Sequence, residues 1–179
     1  MSILKLLVVV WWLWVLYAST YAMTIKDSSY FTSYQIPSQE VLRTKLTQKQ
    51  YDVTQRNDTD AWYMSDRSYV ENHKDGVYVD IVSWQPLFSS KDKYDSQTGR
   101  PAFTRPIDSS AIITKVDWSD NMIRTEVRSA VANSHLGHIF EDGPSPDWLR
   151  YCINSSSLRF ISKKHMKELW YGWYLYLFK

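Results

Sequence analysis

The chain has a single cysteine, Cys152, among 179 residues, and that scarcity excludes whole classes of protein. One thiol permits no internal disulfide framework and no cysteine-based zinc cluster. Charge of one sign is also lacking: 21 Lys and Arg against 19 Asp and Glu leave a formal +2, and the cations are scattered rather than striped. No nucleic-acid partner is therefore expected. No internal repeat is present. What the chain does have is aromatic surface, 16% of its residues with 9 Trp and 13 Tyr, inside a hydrophobic fraction of 44% that suits one globular domain.

The long apolar run is confined to the N-terminus. Lys5, an uncharged stretch over residues 6–17 and the small-residue close "TYA" before Met23 have the order of a secretory signal, with cleavage after Ala22. A retained anchor is the alternative, because residues 6–25 carry no charge and approach the ~20 residues that span a bilayer. Either reading places the domain outside the cytoplasm, secreted or in the cell envelope. The membrane is met only through this segment if it is kept. Residues 23–45 read as a polar, irregular tether and residues 46–179 as the domain, expected to be a monomer.

Within the domain, Thr47 and Gln50 form a capping box, with Leu46 and Tyr51 placed as a hydrophobic staple, so a short helix starts there. "GVYVDIV" alternates Val77, Val79 and Ile81 against Tyr78 and Asp80, and "MIRTEVR" alternates Ile123, Thr125 and Val127 against Arg124, Glu126 and Arg128. "HLGHIFEDGPSPDW" reads as a Gly/Pro turn region feeding the cysteine strand, and "SLRFI" as a last strand. Residues 163–179 read as a helix docking on the sheet. The fold class is mainly β: a small antiparallel, tent-like sheet domain with short peripheral helices.

Strand periodicity in "LRYCINSSSLRF" puts Arg150, Cys152 and Asn154 on one face, with Tyr151 and Ile153 on the other. Free cysteines are commonly small buried hydrophobes. This one shares its face with a guanidinium and an amide, which favours a nucleophile. His135 and His138 are candidate proton carriers. They could equally cap a turn, and no third ligand nearby supports a metal site. Asn154-Ser155-Ser156 and Asn57-Asp58-Thr59 are formal glycosylation sequons, the second in the more suitable loop. A papain-like protease is disfavoured, since its cysteine opens a helix.

"SHLGHIFEDGP" followed by "LRYCINSSSLRF", with "QPLFSSKDKYDSQTGRPAFTRPI" upstream, resembles methionine sulfoxide reductase B, densest over residues 76–160. The resemblance implies reduction of the R epimer of methionine sulfoxide in oxidised proteins. It implies that Cys152 attacks the sulfoxide sulfur and that His135, His138 and Asn154 bind and protonate the departing oxygen. Asp142 would orient a histidine, Arg150 would favour thiolate, and Phe103 and Arg100 would line the substrate pocket. No bound cofactor is implied. A thiol reductant such as thioredoxin would restore the sulfenic acid left on Cys152.

Three departures stand out. Zinc-binding members carry cysteines at the positions of Asp80, Ser83, Ser129 and Ala132, so this chain resembles the zinc-free branch. Many members have a resolving cysteine where Thr98 stands. Arg100 occupies the place of a family tryptophan that packs on the sulfoxide methyl group, and Trp62 is a candidate substitute ring. Arg100 and Thr98 also motivate a second expectation, a secreted binding module with little turnover on the same scaffold.

Overall fold

Alternation of β-branched and aromatic residues builds two antiparallel sheets in this computed structural model, which describes residues 34, 36–61 and 66–179. The leader expected over residues 1–22 and the ring of Trp62 lie outside the described residues. Ile36–Lys179 make one compact unit. Among the described residues, no helix is long and apolar enough to cross a membrane.

The first sheet centres on β1 (Gly76–Asp80), between β2 (Pro86–Ser89) and β9 (Leu158–Ser162). The second runs β3 (Lys93–Tyr94), β4 (Ala102–Phe103), β8 (Arg150–Ile153), β7 (His135–Phe140), β6 (Arg124–Ser129), β5 (Ile112–Asp117). Tyr78, Leu87, Phe88 and Leu158 from the first sheet meet Phe103, Val127, Leu136, Tyr151 and Ile153 from the second in one core. Phe88 and Phe103 stack there with centroids 4.5 Å apart. Val77 and Val79, on the other side of β1, pack under the C-terminal tail with Ile161, Met166, Tyr171 and Phe178. β1 is therefore buried on both faces, as a central strand between two apolar layers must be. Removing each such large side chain from water contributes about 1.5–3 kcal/mol.

The helices α1 (Gln39–Lys45) and α2 (Gln48–Arg56) close one end, where Leu42 and Tyr51 pack on Ile81 and Val82. The capping box at Thr47 and Gln50 is formed on both sides, and Leu46 joins Tyr51 in the same cluster. A short α3 (Arg67–Val70) comes next. Residues 39–45 were expected to be irregular. Ser38 caps them into a helix instead, and Leu42 supplies the buried anchor.

Two further expectations change. The tail is not an α-helix but 3-10 turns at Lys163–His165 and Gly172–Phe178. Apolar or aromatic side chains at every position of 169–178 except Gly172 give that part no 3.6-residue stripe. Residues 135–140 are not a turn but strand β7, inserted between β6 and β8. Gly137, expected in a turn, is there because β8 comes so close: a Cβ would lie 2.1 Å from the Cys152 carbonyl oxygen, at φ +154°.

Candidate active site

Cys152 sits centrally in the second sheet, opposite Ala102 on β4 and His138 on β7. Tyr151 and Ile153 enter the core, so the sulfur lies on the opposite, polar face with Arg150. It is buried yet belongs to none of the apolar clusters. Thr98 Oγ1 lies 4.0 Å from Cys152 Sγ, so the position of the family's resolving cysteine is beside the sulfur.

A bulge brings the two histidines together. Residues three apart on a regular strand face opposite ways. Between β6 and β7, however, Val127 pairs with Gly137 and Arg128 with His135, leaving Leu136 as an extra residue. That insertion turns His135 onto the face of His138, and their rings meet edge to face at 5.4 Å. The Leu136 carbonyl, displaced from the ladder, accepts from Asn154 N at 2.8 Å and Asn154 Nδ2 at 3.1 Å. Asn154 Oδ1 accepts from Asp60 N at 3.0 Å. Asn154, expected to bind the departing oxygen, clamps the bulge with these bonds. It is fully buried and has no room for a glycan, whereas Asn57 is exposed.

Each imidazole is held by a carboxylate that strand periodicity does not single out. His135 Nδ1 is 2.6 Å from Glu126 Oε1, and His138 Nε2 is 2.7 Å from Asp117 Oδ2. A carboxylate accepts, so these nitrogens carry the hydrogens, leaving His135 Nε2 and His138 Nδ1 as the free positions. Burial pushes both imidazoles below the ordinary histidine value, against the upward pull of their carboxylates. Asp117 is held far below the usual carboxylate range, first by the Ser119 amide and then by Ser119's hydroxyl, His138 and Arg124. Arg128 Nη1 donates to Glu126 Oε1 at 2.5 Å and to Asn57 Oδ1 at 2.7 Å, which fixes the carboxylate in turn. The sequence "RTEVR" shows only that Glu126 stands on the polar face of its strand; the β6–β7 register, which sets it beside His138, brings it to the histidines.

Asp142 does not orient a histidine. It takes Arg150 in a fork, Nε to Oδ1 at 2.7 Å and Nη2 to Oδ2 at 2.9 Å, and this pairing lowers the Asp142 carboxyl and raises the guanidinium. Arg150 also lies over the Phe140 ring at 4.4 Å. Phe103, expected against substrate, has no exposed surface and is a core residue, because β4 turns it toward Phe88 and Tyr78. Arg100 precedes β4, half-buried.

Native interiors leave few buried polar atoms unpaired. Among the described residues, Tyr94 Oη, Arg100 Nε, His135 Nε2 and Arg124 Nε are buried without a partner. The first three come from β3 and the approach to β4, on one side of β8, and from β7 on the other. Burial pushes the Tyr94 phenol up, and it feels the charges of Arg150, Asp142 and Cys152. Unpaired donors and a free imidazole nitrogen around a thiol suit a small polar group such as an S=O oxygen. At the positions where zinc-binding members carry cysteines, Asp80 is fully buried and accepts from Val82 N, Ser83 Oγ and Ser134 Oγ at 3.0, 2.9 and 3.1 Å. Burial pushes its carboxyl up. One Asp, two Ser and an Ala are not a zinc donor set. Among the described residues, no group of three or more His, Cys, Asp or Glu could hold a metal ion.

A lone strand-borne thiol opposite a carboxylate-held imidazole, on a two-sheet scaffold, is the arrangement that a cysteine-dependent redox enzyme needs. The SelR domain family model matches residues 46–162, and the chain belongs to this family, the methionine sulfoxide reductase B family that its motifs resemble. A peptide methionine sulfoxide reductase MsrA/MsrB of Vibrio cholerae serotype O1 is 56% identical over 147 residues, covering 82% of this chain and 38% of that protein. The chain thus spans less than half the length of that relative.

Proposed function

We propose that the chain reduces methionine-R-sulfoxide in oxidised proteins, with Cys152 as nucleophile. The observation that carries this reading is the pairing of Cys152 with His138 across β7–β8, beside the unpartnered His135 Nε2. Cys152 Sγ attacks the sulfoxide sulfur. The S–O bond breaks, oxygen passes to Sγ, and the thioether leaves as methionine. Thiol plus sulfoxide gives sulfenic acid plus thioether, so no proton is consumed overall. The thiol proton crosses to an imidazole and from there to the oxygen. Glu126 and Asp117 stabilise the imidazolium formed on the way. Arg100 Nε and Tyr94 Oη donate to the oxygen as its charge grows.

Thr98 offers no thiol, so two equivalents of external thiol, or a thioredoxin-like dithiol, convert the sulfenic acid to thiol with release of disulfide and water. We read the chain as zinc-free, its loops held by the Asp80 network, and as secreted or in the cell envelope. The test supplies a methionine-R-sulfoxide peptide and dithiothreitol and compares natural chain with Cys152→Ser. Methionine formed only by the natural chain is the expected result. Tight peptide binding without sulfenic acid at Cys152 would instead identify a binding module.

A further inference from the structure

The turn Asn57–Asp60 reads in the sequence as a glycosylation sequon in a loop, followed by an acid that no motif marks. In the structure the two ends of this turn bear on one residue, His135, by separate routes.

The first route holds the ring. Asn57 ends α2 in the left-handed conformation, at φ 59°, with its N–H on the Asp52 carbonyl. That cap needs no side chain, and glycine serves it best. The Asn57 carboxamide nevertheless reaches β6, where Oδ1 accepts from Arg128 Nη1 at 2.7 Å. Nη1 carries two hydrogens. The other goes to Glu126 Oε1, which holds His135 Nδ1. Arg128 Nε and Nη2 are both taken by Asn133, so Nη1 is the nitrogen that serves the carboxylate.

The second route holds the backbone. Asp60 is 1% exposed, and its carboxylate accepts from Ser156 N at 2.9 Å and Ser156 Oγ at 2.7 Å. Its own N–H donates to Asn154 Oδ1 at 3.0 Å. A donor on that side requires the amide oxygen there, which turns Nδ2 toward the carbonyl of Leu136, the bulged residue next to His135. Between the two ends, Lys49 Nζ on α2 donates to Asp58 Oδ2 at 2.8 Å and to the Thr59 carbonyl at 2.9 Å. Asp58 feels the charge of His135, so the turn stands close to the imidazole.

We propose that Asn57 and Asp60 are positioning residues for His135. Asn57 acts through Arg128 and Glu126 on the ring, and Asp60 through Asn154 on the bulge that aims it. The inference rests on His135 as a proton carrier for the departing oxygen, and neither residue touches substrate.

The test uses the full chain and reads His135 itself. Asn57→Gly keeps the left-handed cap and deletes the acceptor, so its melting temperature should stay within about 4 °C of the natural chain. The nitrogen-15 resonances of the His135 ring should shift all the same. With a methionine-R-sulfoxide peptide and dithiothreitol, kcat should fall about three- to tenfold while KM stays within about twofold. Asn57→Asp sets a carboxylate on Arg128 and draws Nη1 away from Glu126. The imidazole is faced by Glu126 and Arg128 from β6, by His138 from its own strand and by Asp58 from the turn. It then holds a proton more readily, and the acidic limb of kcat moves to higher pH. Asp60→Ala should also lower kcat, and Asp60→Asn, which still accepts from Ser156 N and donates to its hydroxyl, should restore most of it. If Asp60→Ala does not fold, the two Asn57 variants decide. Unmoved His135 resonances in Asn57→Gly would overturn the proposal, as would a lower melting temperature in Asp60→Ala with kcat unchanged. The resonances need no turnover: a natural chain that forms no methionine would refute the proposed function, and the ring signals would still decide the positioning.

Discussion

Replacing Glu126 by Gln exchanges one carboxylate oxygen for an amide nitrogen in a buried position, where the two neighbouring donors dictate the consequence. Glu126 Oε1 currently accepts from both His135 Nδ1 and Arg128 Nη1. Gln keeps one oxygen there, which still accepts from both His135 Nδ1 and Arg128 Nη1, while its amide NH2 replaces Oε2. The hydrogen stays on His135 Nδ1, but the negative charge that stabilises an imidazolium is gone. Turning two charge-assisted hydrogen bonds into neutral ones costs about 1.5–3 kcal/mol, a fall in melting temperature of about 3–12 °C for a chain this size. If about 2 kcal/mol of transition-state stabilisation goes with it, kcat/KM falls about thirtyfold.

The pH dependence moves as well. Burial holds His135 and His138 below their unfolded value of 6.5. Their contribution to stability is therefore complete above that value and falls as pH drops below it, because the unfolded chain takes up protons that the fold refuses. Without the upward pull of Glu126, protonation of His135 requires lower pH, so the acidic limb of kcat/KM shifts downward in Glu126→Gln. Nitrogen-15 spectra of the imidazoles report the tautomer directly. The hydrogen should remain on Nδ1, and a Glu126→Gln protein with kcat/KM within about twofold of the natural chain would refute the reasoning. Asp142→Asn is the control: it holds Arg150 and should leave both tautomers unchanged.

Thr98→Cys places a thiol where the hydroxyl now lies 4.0 Å from Cys152 Sγ. After one equivalent of sulfoxide it should lose two hydrogens by mass to a disulfide and resist dimedone, whereas the natural chain should be labelled as sulfenic acid. Arg100→Met keeps the apolar stem and removes the unpaired Nε. It should raise stability by about 1 kcal/mol and lower kcat/KM about tenfold, and unchanged activity would show that Arg100 does not face the oxygen. Gly137→Ala drives a methyl group into the Cys152 carbonyl. The expected loss is about 3 kcal/mol or more, read as a melting decrease of about 6–12 °C, and a decrease under about 2 °C would contradict the close approach of β7 and β8.

The strands around "GVYVD", "RTEVR" and "RYCI" were legible because period-two alternation is a local property: Tyr151 and Ile153 had to face one way and Cys152 the other. The capping box at Thr47 was legible for the same reason, its partners being three residues apart. Asp117, Glu126 and Asn154 were not legible in their roles. They act across 21, 9 and 18 positions of sequence, on His138, His135 and the Leu136 carbonyl. Such pairings exist only once strands are in register.

The composition and motifs by themselves determined that this is a small β domain of the reductase family with one sulfur as its candidate nucleophile. Only the tertiary structure decided how the sulfur is served. A one-residue bulge at Leu136 turns two histidines onto one face, and two distant carboxylates fix which nitrogen of each is free. Side-chain direction reverses with every residue along a strand, so a single inserted residue changes which groups can meet, and no spacing rule in the sequence records that insertion.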